Sequence, residues 1–540
     1  MKNVFLIAAL VLFVINTFSQ TDIKTTAEKT NYKLTSSYID IINFINTLDK
    51  QSDILRIETI AKTAEGREVK MMVIANPMIY NFSEAKDDKR VVVYIEANIH
   101  AGEVEGKEAT QMLARYLISN PGSEILKNCI ILINPILNPD GNEKFSDKNR
   151  TNQNGPASVG VRYNGQHLDI NRDGIKLETP EAKGILNNVL NKWDPSVFVD
   201  CHTTNGSYHK EPVTFTWMIN PNGDRNLINY MRDKMMPEVH DKLLSKYNVE
   251  NVFYGEFIDR MNIDKGWHQY AAEPRYLVNY VGIRNRLSIL NENYVYADFK
   301  TRVNGSYNLL RTILDYASNN SREIKNIIKL ADERTIARGL NNKPSDSFAI
   351  QYKSYPTPHK IKIQAYEADT IPGMKGYWRY RQSNRQRDVI VDYYADYFPT
   401  KSVRFPYAYI LDITDANVLQ NLKTHGIKYE RLSSDMNLEV EQFIFTSLKP
   451  SSRINQGHYT NIVEGNFESV ERVFKKGTLI VKTAQPLGWL VAYLFEPQTT
   501  DGLLYWNYFD KYLAPQWGGN LYPYPVYRLV QKPATAIDDQ

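Results

Sequence analysis

Four short strand-like runs place the strongest limit on how this chain can fold. They lie at Val91–Ile95, Ile130–Ile136, Val197–Cys201 and Arg286–Leu290. Segments with apolar residues at helical spacing separate them, including Glu105–Ile118 and a helix that opens at Thr179-Pro180 and runs to Lys192. Apolar strands that alternate with amphipathic helices are typical of a sheet covered by helices on both faces. The sequence therefore predicts an α/β fold.

The pattern changes beyond a predicted helix at Ser321–Arg338. The next segment, 341–345, has the composition of a linker. The strands predicted after it are Ile361–Tyr366, Val389–Tyr394, Gln442–Thr446 and Thr478–Thr483, with a strand–helix–strand pattern at Tyr407–Ile413, Ala416–Thr424 and Ile427–Leu432. We therefore expect two domains, an α/β catalytic domain at 24–340 and a β-rich accessory domain at 345–540.

The first residues have the pattern of a secretory signal. Lys2 precedes an apolar run from Val4 to Ile15, and the small residue Ser19 lies at the expected cleavage point. The run is too short to span a bilayer as a stable helix. We therefore predict a signal peptide at 1–19 and an exported protein, periplasmic or secreted, with no membrane span after signal removal.

The charge of the chain argues against a nucleic-acid partner, and the positions of its two cysteines argue against a disulfide. The formal net charge is only +4, and no lysine- or arginine-rich run could track phosphates, so we expect no nucleic-acid partner. Cys129 opens one predicted strand and Cys201 closes another. In parallel strands these thiols lie at opposite ends of the sheet, beyond disulfide reach. We expect both to be buried and free.

Two clusters at predicted strand ends carry metal-binding residue types. His100 and Glu103 follow one strand, and His202 follows another. Ligand sites in open α/β sheets lie beyond the carboxyl ends of the strands. Catalytic zinc typically takes three protein ligands from His, Glu and Asp and keeps a fourth position for water. Either cluster alone is also common as a surface pair or a hydrogen-bonded structural histidine, but together they make a candidate metal site.

Two further positions carry groups for substrate binding and proton transfer. Asn171 and Arg172 are neighbours in a polar segment, where arginine can grip a carboxylate through its fork and asparagine through its amide. Glu292 follows a predicted strand, and a carboxylate beside a metal site can act as a general base. Taken singly, these residues would be read as a polar turn and a solvated loop.

In this order the motifs resemble those of the M14 family of zinc carboxypeptidases. The residues that carry the resemblance are His100 and Glu103, Asn138-Pro139-Asp140-Gly141, Asp169-Ile170-Asn171-Arg172, His202 and Glu292. The resemblance covers roughly residues 30–320. It implies a mixed, mostly parallel sheet between helices, in agreement with the predicted fold.

The resemblance also implies a zinc-dependent metallocarboxypeptidase. The ligands it implies for one Zn²⁺ per chain are His100, Glu103 and His202. Asn171 and Arg172 would then hold the terminal carboxylate of a peptide or peptide-like substrate, with Glu292 as the base that activates the attacking water. The segment after residue 19 is too short for the inhibitory prodomain of digestive relatives, so we expect activity without its removal.

The sequence departs from the family pattern at the arginine that stabilises the oxyanion. Gln153 stands about where that arginine is expected. Arg150 is the nearest candidate for the role, and Arg162 is the next. The tyrosine that faces the substrate in the family would be either Tyr270 or Tyr280.

Two other functions remain open from the sequence. The same zinc site could serve an amidase or deacylase that acts on cell-wall peptides or acylated amino acids. Alternatively, the chain could be an inactive binding protein whose C-terminal domain recognises a polymer. The complete ligand set and Glu292 argue against the inactive protein, and Gln153 is the feature in its favour.

Several residues near the motifs are expected to be structural. Glu105 and Glu108 follow the zinc motif and are expected on the exposed side of the helix. Aromatic clusters at 378–380 and 505–509 are expected to pack against the catalytic domain.

Overall fold

The computed structural model describes residues 23–269, 271–376 and 379–533. The predicted signal peptide at 1–19 lies outside these residues, and so does Tyr270. Within the described ranges, none of the helices combines the length and the apolar character needed to cross a membrane.

A mixed eight-stranded sheet forms the centre of the N-terminal part. In spatial order its strands are Leu55–Lys62, Glu68–Ile74, Cys129–Asn134, Val91–Ala97, Val197–Thr204, Leu287–Tyr294, Val213–Trp217 and Asn251–Phe253. The four middle strands, from Cys129–Asn134 to Leu287–Tyr294, are parallel to one another. The two strands that flank them, Glu68–Ile74 and Val213–Trp217, are antiparallel to the middle strands that they contact. The predicted α/β fold with a mixed sheet is confirmed.

Helices pack against this sheet. Glu105–Ser119 and Phe299–Asn319 contact each other and the middle strands. The remaining α-helices before the C-terminal part are Thr26–Lys29, Tyr38–Lys50, Phe82–Asp87, Glu124–Asn128, Pro139–Asn142, Pro180–Ile185, Arg225–Tyr230, Met236–Tyr247, Leu277–Ile283 and Ser321–Asn341. Short 3₁₀ turns lie at Ile170–Arg172 and Ile263–Lys265, and π turns at Leu186–Leu190 and Met231–Met235.

The C-terminal part is rich in strands. A six-stranded sheet contains, in spatial order, Glu430–Arg431, Leu479–Lys482, Ala408–Leu411, Val526–Leu529, Met436–Pro450 and Asn461–Phe474. A separate hairpin pairs Ile361–Thr370 with Tyr380–Val391. Helices of this part are Ala416–His425, Gly488–Phe495 and Asp510–Leu513.

A four-stranded sheet joins the two parts of the chain. Its order is Ser347–Pro356, Tyr393–Arg404, Trp267–His268 and Glu256–Phe257, so two strands come from each part. Both parts also contribute side chains to one continuous apolar core. The division into domains at 24–340 and 345–540 stays a prediction, and the shared sheet and core describe how closely the two segments are packed.

The predicted strand at Val389–Tyr394 is divided in the structure. Strand Tyr380–Val391 ends and strand Tyr393–Arg404 begins on either side of Asp392. A continuous run of β-forming residues hides such a break, because its apolar character does not report a change of partner strand. The two strands belong to different sheets.

The two acids predicted to be exposed are buried. Glu105 and Glu108 are both 0% exposed. Glu105 accepts a hydrogen bond from the Thr203 hydroxyl and pairs with the buried Arg302. Glu108 accepts from the backbone N–H of Ser36 at 2.7 Å. The prediction was wrong because both faces of this helix are covered, and partners from distant segments compensate the buried charges.

The cysteine prediction is confirmed. Cys129 and Cys201 are buried and unpaired. They lie at the start of one parallel strand and near the end of another. Burial raises the pKa of the Cys129 thiol to about 12, so this group stays protonated at neutral pH.

Candidate metal centre and substrate pocket

A tight turn after the strand Val91–Ala97 positions His100 and Glu103. Asn98 begins the turn with a φ of 63°, a left-handed conformation that asparagine tolerates better than most residues. Its side-chain amide donates to the carbonyl oxygens of Ala101 at 3.2 Å and Glu103 at 3.0 Å. The turn is therefore fixed from within and presents both side chains beyond the end of the strand.

His202 and Glu292 lie side by side because they belong to neighbouring parallel strands. The register pairs His202 directly with Glu292. Side chains alternate between the two faces of a strand, so Asp200 lies on the same face as His202. The sheet topology thereby brings two residues 90 positions apart in sequence to one point.

The three predicted metal ligands form a compact donor set. His202 Nδ1 lies 3.2 Å from His100 Nδ1 and 3.0 Å from Glu103 Oε2. His100 Nδ1 is 3.2 Å from Glu103 Oε1. A tetrahedral zinc ion with ligand bonds of about 2.0–2.1 Å holds its ligand atoms roughly 3.3 Å apart. The spacing and the chemistry of this set therefore fit a zinc ion.

Each histidine turns its second ring nitrogen toward a carboxylate. His100 Nε2 is 2.9 Å from Asp169 Oδ1, and His202 Nε2 is 2.8 Å from Asp200 Oδ2. Such carboxylates accept the N–H of the outer nitrogen and leave the lone pair of the inner nitrogen for a metal. Sequence analysis assigned neither role, although Asp200 could have been found from its place two residues before His202 on the same strand face.

Burial and neighbouring charges set the protonation of the two glutamates. Burial alone would raise the pKa of Glu103, but His100 and Arg150 outweigh it and hold that pKa well below its usual value. Burial raises the pKa of Glu292 to about 8. A cation bound nearby would favour the carboxylate form of Glu292 and lower this value.

Both candidate arginines approach the donor set. Arg150 Nη1 donates to Glu103 Oε1 at 2.9 Å and its Nη2 to the Thr203 carbonyl at 3.1 Å. Arg162 Nε donates to Asp169 Oδ2 at 2.8 Å. The Arg162 side chain is 37% exposed and that of Arg150 only 14%, so Arg162 presents more of its surface to the pocket.

Asn171 and Arg172 lie on a short 3₁₀ turn beside the donor set. Asn171 Oδ1 accepts from the backbone N–H of Leu277 at 3.1 Å, and its Nδ2 is 3.2 Å from His202 Nε2. The Arg172 guanidinium lies 4.3 Å from the centre of the Tyr276 ring. Arg172 Nη1 also donates to the Asn171 carbonyl at 2.8 Å, so the tyrosine ring and this bond hold the guanidinium while its other N–H groups can bind a carboxylate.

These residues share one cavity of about 310 Å³. All the predicted site residues line it, namely His100, Glu103, Arg150, Asn171, Arg172, His202 and Glu292. Tyr276 also lines it and was missed, because nothing in the sequence distinguishes it from its tyrosine neighbours. Tyr280 is buried and its hydroxyl lies 2.7 Å from His425 Nδ1, away from the residues that line the cavity.

The C-terminal part touches the metal centre through the tip of one hairpin. Residues 451–460 join the strands Met436–Pro450 and Asn461–Phe474. Gln456 Oε1 in this tip accepts from the backbone N–H of Asp169 at 2.7 Å. His458 Nε2 lies 2.7 Å from Glu178 Oε1. The residue that orients His100 is thus itself held by a segment far along the chain.

Comparison with known proteins finds a family model that is similar to part of the chain. Residues 41–208 match the family model described as zinc carboxypeptidase, Peptidase_M14. Carboxypeptidase D of Mus musculus is 28% identical over 169 residues, which are 30% of this chain but only 12% of that relative. Carboxypeptidase 2 of Trichophyton equinum is 21% identical over 500 residues, 87% of this chain and 81% of that relative.

Similar solved structures include two carboxypeptidases. Carboxypeptidase A from Helicoverpa armigera is 15% identical, with a TM-score of 0.39, over 54% of this chain and 75% of that one. A metallo-carboxypeptidase from Burkholderia cenocepacia is 15% identical, with a TM-score of 0.38, over 53% of this chain and 70% of that one.

Proposed function

We propose that this protein is a zinc-dependent metallocarboxypeptidase, and the match of residues 41–208 to the M14 zinc carboxypeptidase model supports this proposal. It hydrolyses a peptide or peptide-like amide bond next to a free C-terminal carboxylate. The observation that supports this reaction best is the cavity in which a His–Glu–His donor set, the half-buried Glu292 and an Asn–Arg pair come together.

One zinc ion per chain would be held by His100, Glu103 and His202. Such an ion is a Lewis acid, which would polarise the scissile carbonyl and lower the pKa of water enough for it to react at neutral pH. Asp169 and Asp200 keep the two imidazoles in the tautomer that leaves Nδ1 free to bind.

Arg172 and Asn171 bind the terminal carboxylate of the substrate. The stacked guanidinium of Arg172 offers paired N–H donors, a geometry that matches a carboxylate. This contact places the last peptide bond, rather than an internal one, beside Glu292. Exopeptidase activity follows from that placement.

Glu292 acts as the general base. Its carboxylate accepts a proton from the attacking water and then donates it to the amine of the leaving residue, so the proton count balances over one turnover. The glutamate is half-buried, with its Oε2 enclosed by protein atoms, and it lies beside His202.

Arg150 is proposed to stabilise the oxyanion, and Arg162 is the alternative. Substituting each arginine with methionine shows which of the two stabilises the oxyanion. If Arg150 stabilises the oxyanion, Arg150→Met lowers kcat by about 10²–10³ with zinc retained, and Arg162→Met has a smaller effect. The reverse pattern assigns the oxyanion to Arg162, whose guanidinium is the more exposed.

We also propose that the protein is exported, to a periplasm or to the medium. The pattern Lys2, Val4–Ile15 and Ser19 supports cleavage after residue 19. Cell fractionation with N-terminal sequencing tests this proposal. A cytoplasmic protein that retains Met1 would contradict it.

The proposed activity is tested by zinc content and a peptide panel. We expect one zinc per chain and release of single residues from peptides with a free C-terminal carboxylate, but not from their C-terminal amides. Bound zinc without peptide cleavage would favour the amidase or deacylase. Absence of bound zinc after growth with zinc would favour an inactive binding protein.

A further inference from the structure

We propose that the C-terminal strand Tyr393–Arg404 supports the wall of the substrate pocket, because it positions Gln269, which lines that pocket. The inference rests on the proposed function, since it concerns how that same pocket distinguishes C-terminal residues. It assigns to the C-terminal part a role in substrate selection.

The wall segment, residues 267–269, is hydrogen-bonded to this strand and belongs to the same sheet. Trp267 pairs with Tyr393 and His268 with Tyr394 in parallel register. The Trp267 N–H donates to the Asp392 carbonyl at 2.9 Å, and the Gln269 N–H donates to the Tyr394 carbonyl at 3.2 Å. The backbone on either side of His268 is thus set by residues more than 120 positions later.

Two buried tyrosines of the strand also bind the wall through their hydroxyls. The Tyr397 hydroxyl donates to the Gln269 carbonyl at 2.9 Å. The Tyr393 hydroxyl lies 2.8 Å from the Tyr254 carbonyl and 3.0 Å from Gln269 Oε1, so it can donate to either. Tyr393 is 2% exposed, so its hydroxyl is shielded from bulk water.

Gln269 connects the C-terminal strand to residues inside the pocket. Its side chain lines the cavity, and its Oε1 accepts from the Thr216 hydroxyl at 2.6 Å. Thr216 pairs with Leu290 on the strand that also carries Glu292. Gln269 therefore joins the C-terminal strand to the strand of the proposed base.

Loss of the Tyr393 hydroxyl would leave the Gln269 amide with fewer fixed partners. A buried hydrogen bond contributes about 1 kcal/mol, which corresponds to roughly a fivefold change in an equilibrium or rate ratio. Its remaining partners would be the Thr216 hydroxyl at Oε1 and the Trp217 carbonyl, 3.3 Å from Nε2, so the amide would be held less firmly against the bound side chain. The variant should therefore change which C-terminal residues are preferred, and Tyr393 and Tyr397 are positioning residues.

The test compares Tyr393→Phe and Tyr397→Phe with Tyr409→Phe. Tyr409 is an equally buried tyrosine of the C-terminal part, and its hydroxyl donates to Glu496 at 2.6 Å, outside the cavity. For each variant, kcat/KM is measured on peptides that differ only in their C-terminal residue, together with zinc content. Amide hydrogen exchange is followed across residues 254–269.

We expect Tyr393→Phe to change the ratio of kcat/KM between two such peptides about fivefold and to speed exchange at Trp267 and Gln269, with zinc content unchanged. Tyr397→Phe should act in the same direction and serves if Tyr393→Phe does not fold. Ratios and exchange that match those of Tyr409→Phe would overturn the inference.

Hydrogen exchange also separates this inference from the proposed function. If the wild type cleaves no peptide, the proposed function fails, and the exchange of residues 254–269 alone decides whether the C-terminal strand holds the wall. If the wild type is active but neither ratio nor exchange changes, only the inference fails.

Discussion

The pocket has two sides that are built in different ways. The metal side carries His100, Glu103 and His202, and the Gln269 side carries Gln269. On the metal side, His100 and Glu103 lie on a short turn after one strand, and His202 lies within the next strand of the same sheet. Gln269 lies in a segment with little regular structure of its own, and its position comes from hydrogen bonds to Tyr393–Arg404. One side is fixed by strand ends, and the other by a later part of the chain.

The difference shows which property each side controls. Strand ends of a packed sheet are rigid, which suits a donor set that must hold its distances. A wall held by a separate strand can change in sequence without disturbing the metal ligands. We therefore expect substitutions on the metal side to change metal binding or turnover, and substitutions around Gln269 to change substrate preference.

The largest effect on the metal side is expected for Glu292→Gln. Removing the general base should lower kcat by about 10²–10⁴, while the zinc content stays at one per chain because Glu292 is not among the three predicted ligands. Steady-state kinetics with metal analysis checks this expectation.

Glu211→Gln is the matched control for that variant. Glu211 is a buried glutamate that lies outside the cavity. Its Oε1 accepts from the backbone N–H of Gln364 at 2.8 Å, a bond that glutamine can replace. Equal losses in both variants would mean that folding, not proton transfer, explains the result.

Arg172→Met tests the proposed carboxylate contact. A charge-assisted hydrogen bond contributes about 1.5–3 kcal/mol, so kcat/KM should fall roughly 10- to 150-fold on free peptides. The variant should also lower the ratio of kcat/KM for peptides with a free C-terminal carboxylate to kcat/KM for their C-terminal amides. Arg56→Met, which removes a guanidinium of similar exposure far from the cavity, should leave that preference unchanged.

Asp200→Asn tests how the metal side is oriented. Loss of a carboxylate behind a metal-bound histidine typically weakens metal binding about 10- to 100-fold. We expect competition with a chelator to show this weakening. Asp415→Asn, a buried aspartate that caps the helix Ala416–His425, should retain metal like the wild type. Equal affinity in both variants would show that the Asp200 contact is not needed.

The smallest effect is expected at the hairpin tip. The hydrogen bond to Glu178 raises the pKa of His458 above its ordinary value. The folded state therefore binds this proton more tightly than the unfolded chain. The stabilisation is fully present below the unfolded pKa of about 6.5 and is lost as the pH rises through the higher folded pKa.

Thermal unfolding of wild type and His458→Gln across this pH range measures the contribution. The difference in melting temperature should shrink as the pH rises. A difference that grows with pH would show that the Glu178 contact does not act as an ion pair. Because the tip also contacts Asp169 through Gln456, this result tells how far the metal side depends on the C-terminal part.

The parallel sheet and the donor set could be predicted from sequence because both depend on local patterns. Val91–Ile95 and Val197–Cys201 are apolar enough to be recognised as covered strands, and His100 and His202 follow them directly. Their meeting then follows from the rule that parallel strands end at the same edge of the sheet.

Contacts between distant segments could not be predicted. Glu105 has the composition of a surface residue, and only its distant partner Arg302 explains its burial. Tyr393 is one of 36 tyrosines, and no local pattern ties it to Gln269. Tyr276 is likewise indistinguishable by type from Tyr280, four residues later. Side-chain contacts across large sequence separations are a property of the folded chain.

The parallel pairing of Trp267 with Tyr393 also fixes an order of assembly. Synthesis presents the N-terminal part first, and domains generally fold as they emerge. The histidines and Glu103 can meet before the wall segment has its partner. Under the proposed function, selection of a substrate would then wait until the chain has been made at least to residue 404, the end of the strand that holds the wall segment.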